Sequence, residues 1–244
     1  MSPPGYRGTV VVMDGYGGDQ IRAAERPHLD AGEPLMQRAA DGLARIVGDL
    51  LDDPAVRPGD GPGSVLLLVG SGDNGGDALF AGARLAAAGR HVAVLRVGSR
   101  VHEAGLAAAL DAGVRLLDDP AGPEAAVTDA ALDADLVLDA ILGIGVRGPA
   151  ALRSPAREVV DAIRELARDQ RAPFVVAVDV PSGIDVDTGG IADDHVLHAD
   201  VTVTFGGVKA GLLTGPAATL AGRIELVDVG IGTDLATMEP LVRT

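Results

Sequence analysis

Short apolar runs recur along the chain, separated by segments in which apolar residues are spaced three or four positions apart. Six runs of five to seven residues are apolar almost throughout, and they lie at residues 64–69, 91–97, 135–141, 174–180, 201–205 and 224–229. Strands of this kind are buried on both faces, which is typical of parallel sheets. Because the runs alternate with helical patterns, the sequence predicts a doubly wound α/β fold with a mostly parallel sheet.

The helices predicted around these strands have recognisable start and stop signals. In residues 34–51, Leu35, Leu43 and Leu50 fall on one apolar stripe, and Pro34 suits a first helical turn. A shorter helix over residues 20–25 is expected to stop at Pro27. Further helices are expected at residues 77–88, 101–112, 124–131 and 155–167. No long linker divides the chain, so residues 1–244 are interpreted as one domain with an N-terminal helical extension.

A glycine-rich segment, GSGDNGGD at residues 70–77, joins the first of these apolar runs to the next helix. Its glycines permit tight turns, and the N–H groups at a helix start attract anions such as phosphate. No Gly-Lys-Ser/Thr follows, so the segment is not a P-loop. Its spacing matches a dinucleotide fingerprint, but no acidic residue closes the second strand. A Gly/Asp-rich surface turn is the alternative interpretation.

Two acidic residues stand near the ends of apolar runs, Asp139 in one and Asp179 in another. A carboxylate in such a place is costly unless it is paired, hydrogen-bonded or bound to a ligand. Together with Ser182 and Asn74, these residues offer hard oxygen ligands that suit an alkali or alkaline-earth cation. The alternative is that each aspartate caps a helix or ties a loop.

The amino-acid composition excludes several classes of function. The formal net charge is −15, from 35 acidic and 20 basic residues, which argues against nucleic-acid binding. The chain has no cysteine, which excludes a disulfide scaffold, a thiolate zinc site and a cysteine nucleophile. No leader sequence and no apolar run long enough for a membrane span are visible, so a soluble cytoplasmic protein is expected.

Taken in order, several of these segments resemble the NAD(P)H-hydrate epimerase family, also called the YjeF N-terminal domain. The motifs that carry the resemblance are LMQRAA at 35–40, GSGDNGGD at 70–77, DAILGIG at 139–145, VDVPSGID at 178–185 with DTG at 187–189, and TF at 204–205 followed by Lys209 and then by GRIELVDVG at 222–230. The resemblance spans a core of about residues 20–232. It implies a Rossmann-like three-layer α/β/α sandwich, in agreement with the predicted sheet.

The resemblance also implies a reaction and a site. Members of the family interconvert the R and S epimers of hydrated NADH and NADPH (NADHX and NADPHX), which carry a hydroxyl at C6 of the reduced nicotinamide ring. A potassium ion is expected at the positions that match Asn74, Asp139 and Ser182. The expected substrate-binding residues are Asp73, Asn74, Gly75, Gly76, Asp77, Gly143, Ile144, Gly145, Val146, Arg147, Gly148, Pro149 and Asp179.

Asp179 and Lys209 are the candidates for catalysis. Loss of water from C6 would give an iminium ion, and return of water to the other face would invert the centre. A nearby carboxylate can shuttle the proton, and Asp179 is the predicted shuttle. Lys209, the only lysine, would neutralise the phosphates or an adjacent acid. The alternative for Lys209 is an ordinary surface lysine.

The sequence departs from the family pattern at three places. Asp73 stands where an Asn is usual, Ala78 where a Gly is usual, and no Pro precedes Lys209. The first change bears on affinity for a polyanionic substrate.

Two rival functions compete with the epimerase. A nicotinamide dehydrogenase would need a second domain, for which the chain has no room. A non-catalytic dimeric scaffold of the same fold could dispense with the site residues, yet Asn74, Asp139, Asp179 and Ser182 are all present. The expected partners are therefore the substrate, a second copy in a homodimer, and an NAD(P)H-hydrate dehydratase that acts on the product.

Overall fold

A computed structural model describes residues 13–117, 122–145, 148, 151–169 and 171–244. The strands are β1 (Asp14–Gly15), β2 (Ser64–Val69), β3 (His91–Arg96), β4 (Arg115–Leu117), β5 (Leu136–Ala140), β6 (Phe174–Val178), β7 (Val201–Phe205), β8 (Arg223–Val227) and β9 (Val242–Arg243). The helices are α1 (Gly18–Asp30), α2 (Leu35–Asp52), α3 (Asp73–Ala87), α4 (Glu103–Asp111), α5 (Pro123–Leu132), α6 (Ala156–Arg168) and α7 (Gly232–Leu235). Short 3₁₀ turns lie at Ala210–Leu212 and Pro216–Thr219.

Seven strands form one sheet in the order β4-β3-β2-β5-β6-β7-β8, and each neighbouring pair is parallel. From β2 the chain winds outward to β4, returns to the other side of β2, and continues from β5 to β8. The direction of winding therefore reverses between β2 and β5. In open α/β sheets the crevice beyond the carboxyl ends of two such strands is the usual ligand site.

The central strands send alternate side chains into two cores. In β2, Leu67 is buried with residues of α2 and α3, whereas Leu66 and Leu68 are buried with α6 on the opposite face. Leu43 of α2 and Ile163 of α6 belong to these two cores, respectively. Because both faces are covered, the strands carry no polar alternation. The predicted three-layer α/β/α architecture is confirmed.

Helix α1 does not stop where the sequence analysis expects it to. It runs to Asp30 with Pro27 inside it, and the carbonyl of Pro27 still accepts a hydrogen bond from the N–H of Ala31 at 3.1 Å. The prediction of a stop at Pro27 is wrong because a proline in the last turn removes only its own N–H from the helix.

The glycine-rich segment is also more ordered than predicted. Helix α3 begins at Asp73, so Asn74, Gly75, Gly76 and Asp77 form its first turns, not a loop before a helix at residue 77. The low helix propensity of glycine conceals this start in the sequence. Strand β4 and the antiparallel pair β1–β9 were not predicted either, because strands of two or three residues carry too little pattern.

The helices of the described residues differ in length and in apolar character. None of them is both long enough and apolar enough to cross a bilayer.

Candidate functional site

The loops after β2 and β5 meet at the point where the sheet winding reverses. Gly70 donates its N–H to the carbonyl of Ala140 at 3.1 Å. A Cβ on Gly70 would lie 1.9 Å from the carbonyl oxygen of Ile141, so no residue with a side chain fits there. Glycine at this position therefore lets the two loops run side by side and form the floor of a crevice.

A buried polar cluster lies beneath this crevice, and it unites the three predicted cation ligands. Asp139 is fully buried, and its two carboxylate oxygens accept from Ser182, at 2.5 Å from the hydroxyl and 2.9 Å from the backbone N–H. Burial raises the pKa of Asp139, and the hydrogen bonds from Ser182 oppose that rise. The hydroxyl oxygen of Ser182 also accepts from the N–H of Leu142 at 2.9 Å.

Asn74 brings an unsatisfied oxygen to the same cluster. Its Nδ2 donates to the carbonyl of Leu142 at 3.0 Å, whereas its Oδ1 is buried and has no hydrogen-bond partner among the residues described. A buried polar atom without a partner costs free energy unless a ligand or water satisfies it. The oxygens of Asn74, Ser182 and Leu142 are hard, uncharged metal ligands, and such ligands suit an alkali cation better than zinc or copper.

The cluster also has a structural role, as the alternative interpretation of the sequence expected. Asp139 ties the loop that contains Ser182 to the end of β5. Within the described part of the chain, no three His, Cys, Asp or Glu side chains gather in a way that could hold a metal ion. Any cation bound here would rely on neutral oxygens and on a single carboxylate.

Asp179 adopts a backbone conformation that residues with side chains avoid. Its φ is +67°, and it is the only residue other than glycine with positive φ among the described positions. Its N–H donates to the carbonyl of Val203 at 2.7 Å, which fixes the turn after β6. Such strain persists only where the surroundings enforce it, and it is concentrated at functional sites.

Lys209 is buried against Asp179 and is only 1% exposed. Its ammonium group contacts Asp179 Oδ1 and donates to the carbonyl of Phe205 at 2.8 Å. The same Oδ1 accepts from the hydroxyl of Thr204 and from the N–H of Phe205, both at 3.2 Å. The alternative that Lys209 is a surface lysine is wrong. Of its two expected roles, the structure shows the one in which it neutralises an adjacent acid.

Asp179 and Lys209 are among the residues that line a cleft of about 360 Å³. Eight of the predicted site residues line this cleft, namely Asp73, Asn74, Asp77, Gly143, Ile144, Gly145, Asp179 and Lys209. Gly75 and Gly76 do not line it, because they are packed against Gly70 and His102 inside the first turns of α3.

The rest of the predicted substrate loop is only partly described. Val146, Arg147 and Pro149 lie outside the described residues. Gly148 has a φ of +73°, and a Cβ there would come within 3.9 Å of the Asp185 carboxylate.

Some residues of the cleft were not assigned to the site by the sequence analysis. Arg22, Glu25 and Leu29 of α1 belong to none of the motifs. The others lie within motifs but were given no role in the site: Leu35, Met36, Ala39, Gly72, Phe205 and Val229. Arg22 reaches across the cleft and donates to the carbonyl of Ile144 at 2.7 Å. One signal was available in the sequence: Arg22 and Glu25 are charged residues that flank the buried stripe of Ile21 and Ala24.

The surroundings raise the pKa of two acids in the cleft. Burial raises the pKa of Asp77 well above its usual value, and the negative charges of Asp179 and Asp73 add to the rise. Burial also raises the pKa of Glu25, an effect that Asp179 reinforces and Lys209 opposes. Cleft acids with raised pKa values indicate a site that can hold or transfer protons.

A larger cavity of about 840 Å³ lies at the opposite end of the sheet, between α6 and the loop that precedes β7. Its lining includes Arg164, Phe174 and Leu197 but none of the residues predicted for the site. The strained Asp179 turn, the buried ion pair and the cluster around Asn74 all belong to the smaller cleft.

The fold and the site define a class of protein: a Rossmann-like α/β protein with an acidic ligand cleft at the carboxyl edge of its sheet. The family described as YjeF-related protein N-terminus matches residues 32–211. The chain belongs to this family.

Individual relatives agree with this assignment. An NAD(P)H-hydrate epimerase of Clavibacter michiganensis is 49% identical over 233 residues, which is 96% of this chain and 96% of the relative. The bifunctional NAD(P)H-hydrate repair enzyme Nnr of Mycobacterium tuberculosis is 43% identical over 93% of this chain and 43% of its own length. The crystal structure of yeast ynu0, YNL200c, shares the fold, with a TM-score of 0.67 and 21% identity over 82% of this chain and 83% of the yeast chain.

Proposed function

We propose that this protein is an NAD(P)H-hydrate epimerase, an isomerase that interconverts the R and S epimers of NADHX and NADPHX for cofactor repair. The observation that carries the proposal is the cleft in which the strained Asp179, its buried partner Lys209 and the first turn of α3 meet. The epimerases of two Clavibacter relatives, 49% and 48% identical over nearly their whole length, support the same activity.

The chemistry follows from how Asp179 is held. Its Oδ1 receives hydrogen bonds from Lys209, Thr204 and Phe205, whereas none of the described residues donates to its Oδ2. Oδ2 is therefore the atom available to take a proton from, or return it to, the oxygen at C6 of the ring. Lys209 keeps positive charge beside the carboxylate and fixes its orientation.

The dinucleotide would lie along the start of α3. Backbone N–H groups in its first turn and in the loop after β5 can bind the phosphates, because unpaired N–H groups at a helix start attract anions. Asp73 adds negative charge at this point, so phosphate binding needs positive charge from elsewhere. Two cationic side chains line the described part of the cleft. Lys209 is buried against Asp179, so Arg22, which also pairs with Asp19, is the one placed to supply this charge.

We further propose that potassium binds below the phosphates. Asn74, Asp139 and Ser182 would hold it, with the carbonyl of Leu142 beside them. The unpartnered Oδ1 of Asn74 supports this proposal, because a cation would satisfy it. When bound, the ion would supply positive charge in an acidic cleft and stiffen the loops after β2, β5 and β6.

Three further features of the proposal rest on the sequence resemblance. The protein would act as a homodimer in the cytoplasm, and a dehydratase would consume the epimer it forms. The bifunctional repair enzyme of Mycobacterium tuberculosis, of which this chain spans 43%, supports functional coupling to a second activity.

The direct test uses a mixture of both epimers of NADHX. An S-specific dehydratase first consumes one epimer until the reaction stops, and this protein is then added. The expected result is renewed consumption of NADHX, which is monitored through the absorbance of the NADH formed. If the remaining epimer stays untouched, the protein is a binding scaffold of the same fold.

A further inference from the structure

Helix α1 covers the end of the strand from which Asp179 projects. On one side, Arg22 donates to the carbonyl of Ile144, which follows β5. On the other side, Ile21 packs on Gly207, which follows β7, so closely that a Cβ there would lie 3.0 Å from Ile21 Cδ1. Because β5 and β7 flank β6 in the sheet, α1 spans the carboxyl end of β6.

Glu25 lies one turn beyond Ile21 on this helix and lines the cleft together with Asp179 and Lys209. Asp179 belongs to the floor of the cleft, at a strand end, whereas Glu25 belongs to the helix that covers it. The charged groups that face Glu25 are Lys209, Asp179, Arg22, Asp73 and Asp77. Its raised pKa, caused mainly by burial, favours a carboxyl group that carries a proton, whereas Asp179 is paired with an ammonium group.

Inversion at C6 requires proton transfers on both faces of the nicotinamide ring. Water must leave from one face and return to the other, and one fixed carboxylate reaches only one of them. We propose that Glu25 is the second acid–base residue of the epimerisation, serving the ring face opposite to the one that Asp179 serves. This inference rests on the proposed function. Two carboxylates whose surroundings favour different protonation states are the usual arrangement for paired acid and base.

Atoms and electrons balance in the proposed step. Glu25 donates its proton to the C6 hydroxyl, the C–O bond breaks, and both bonding electrons leave with the water. The lone pair of the ring nitrogen forms the iminium bond. A water on the other face then adds to C6 and gives its proton to Asp179. One water leaves, one enters, and the proton returns from Asp179 to Glu25 through solvent; the reverse reaction uses the same steps.

The test measures inversion and oxygen exchange separately in water enriched in ¹⁸O. Each purified epimer is incubated with the full-length protein, chromatography reports inversion, and mass spectrometry reports ¹⁸O at C6. In Glu25→Gln, inversion should fall by about 100-fold or more. The epimer whose hydroxyl faces Asp179 should still exchange its oxygen without inverting. Asp179→Asn should show the same behaviour with the other epimer.

Two control variants and the wild-type protein make the outcome of this experiment unambiguous. Asp30→Asn makes the same carboxylate-to-amide change on an exposed position of α1 and should behave as wild type. Glu25→Asp should recover part of the inversion, which shows that a loss in Glu25→Gln is not a folding defect. Inversion at the wild-type rate in Glu25→Gln, or an equal loss of exchange and inversion for both epimers, would overturn the inference. An inert wild-type protein would instead overturn the proposed function.

Discussion

Asp179 and Lys209 depend on each other at the scale of single residues. The carboxylate sits in a turn with positive φ, and the ammonium group is 1% exposed. Removing one partner of a buried ion pair leaves an uncompensated charge, which typically costs about 3–5 kcal/mol. The pair is therefore a structural element of the site as well as its expected chemical centre.

A double-mutant cycle measures this dependence. Lys209→Met should lower the free energy of unfolding by about 3–5 kcal/mol, because Asp179 then stays buried without its partner. Adding Asp179→Asn to Lys209→Met should recover a large part of that loss, since no unpaired charge remains. Urea unfolding of the wild type, the two single variants and the double variant gives the coupling energy. Additive losses would show that the two side chains do not stabilise each other.

Asp77 should make stability depend on pH. Its pKa is raised in the folded protein above the ordinary value near 3.8. Such an acid stabilises the fold below the unfolded-state pKa, and this contribution is lost as pH rises through the folded-state pKa. Wild type should therefore lose stability as the pH rises from 4 to 8. An asparagine does not titrate, so the free energy of unfolding of Asp77→Asn should rise relative to that of wild type over this range. The measurement is urea unfolding at both pH values, and an equal difference between variant and wild type at pH 4 and pH 8 would contradict the prediction. Asp111→Asn, at an exposed position, is the control.

At the scale of elements, the start of α3 is built on close packing. Gly75 lies in the first turn, and a Cβ there would be 2.7 Å from the carbonyl oxygen of Gly70. The loop after β2 therefore folds back directly onto the helix that follows it. This contact explains why a weak helix former occupies the first turn of a helix.

Two helical glycines should respond oppositely to alanine. Gly75→Ala should destabilise the protein by about 1–3 kcal/mol, because the added methyl group meets backbone atoms that cannot yield. Gly48 of α2 has nothing within 4 Å of the point where a methyl group would stand, so Gly48→Ala should stabilise by up to about 1 kcal/mol. Thermal melts of both variants provide the comparison. Similar shifts in the same direction would contradict the packing argument.

The sequence predicts elements well where the apolar pattern is long. The run at residues 64–69 matches β2 at both ends, and the runs around Leu138 and Val176 identify β5 and β6. It fails where tertiary contacts decide, as at the start of α3 and in the two-residue strands β1 and β9. Arg22 and Glu25 were missed for the same reason, since only the packing of α1 across the sheet edge brings them to the cleft.

At the scale of the whole molecule, the excess of negative charge opposes the binding of an anionic substrate. The net charge is −15, and Glu25, Asp73, Asp77 and Asp179 all line a cleft that is proposed to bind a polyanionic dinucleotide. Arg22 and Lys209 are the only cationic side chains in the described lining. A bound monovalent cation would offset part of this imbalance without adding protein charge.

Potassium should therefore stabilise the protein through Asn74. Replacing tetramethylammonium chloride by potassium chloride at constant ionic strength should raise the melting temperature of wild type, because a ligand that binds only the folded state stabilises it. Asn74→Leu removes the unpartnered oxygen and should abolish that response. Asp49→Asn, an exposed change on α2, should keep it. An equal response in Asn74→Leu would contradict the assignment of this cluster to potassium.

The pairing of β1 with β9 has a mechanical consequence. Asp14 lies opposite Arg243 and Gly15 opposite Val242. The chain therefore enters β1 and leaves β9 at the same end of this antiparallel ribbon. A pulling force on the two ends would separate the ribbon one hydrogen bond at a time, without shearing it. Since β1 leads within three residues to α1, tension would reach the helix above Asp179 before it reached the seven-stranded sheet. Single-molecule pulling would then detect an early, low-force opening of the cleft ahead of global unfolding.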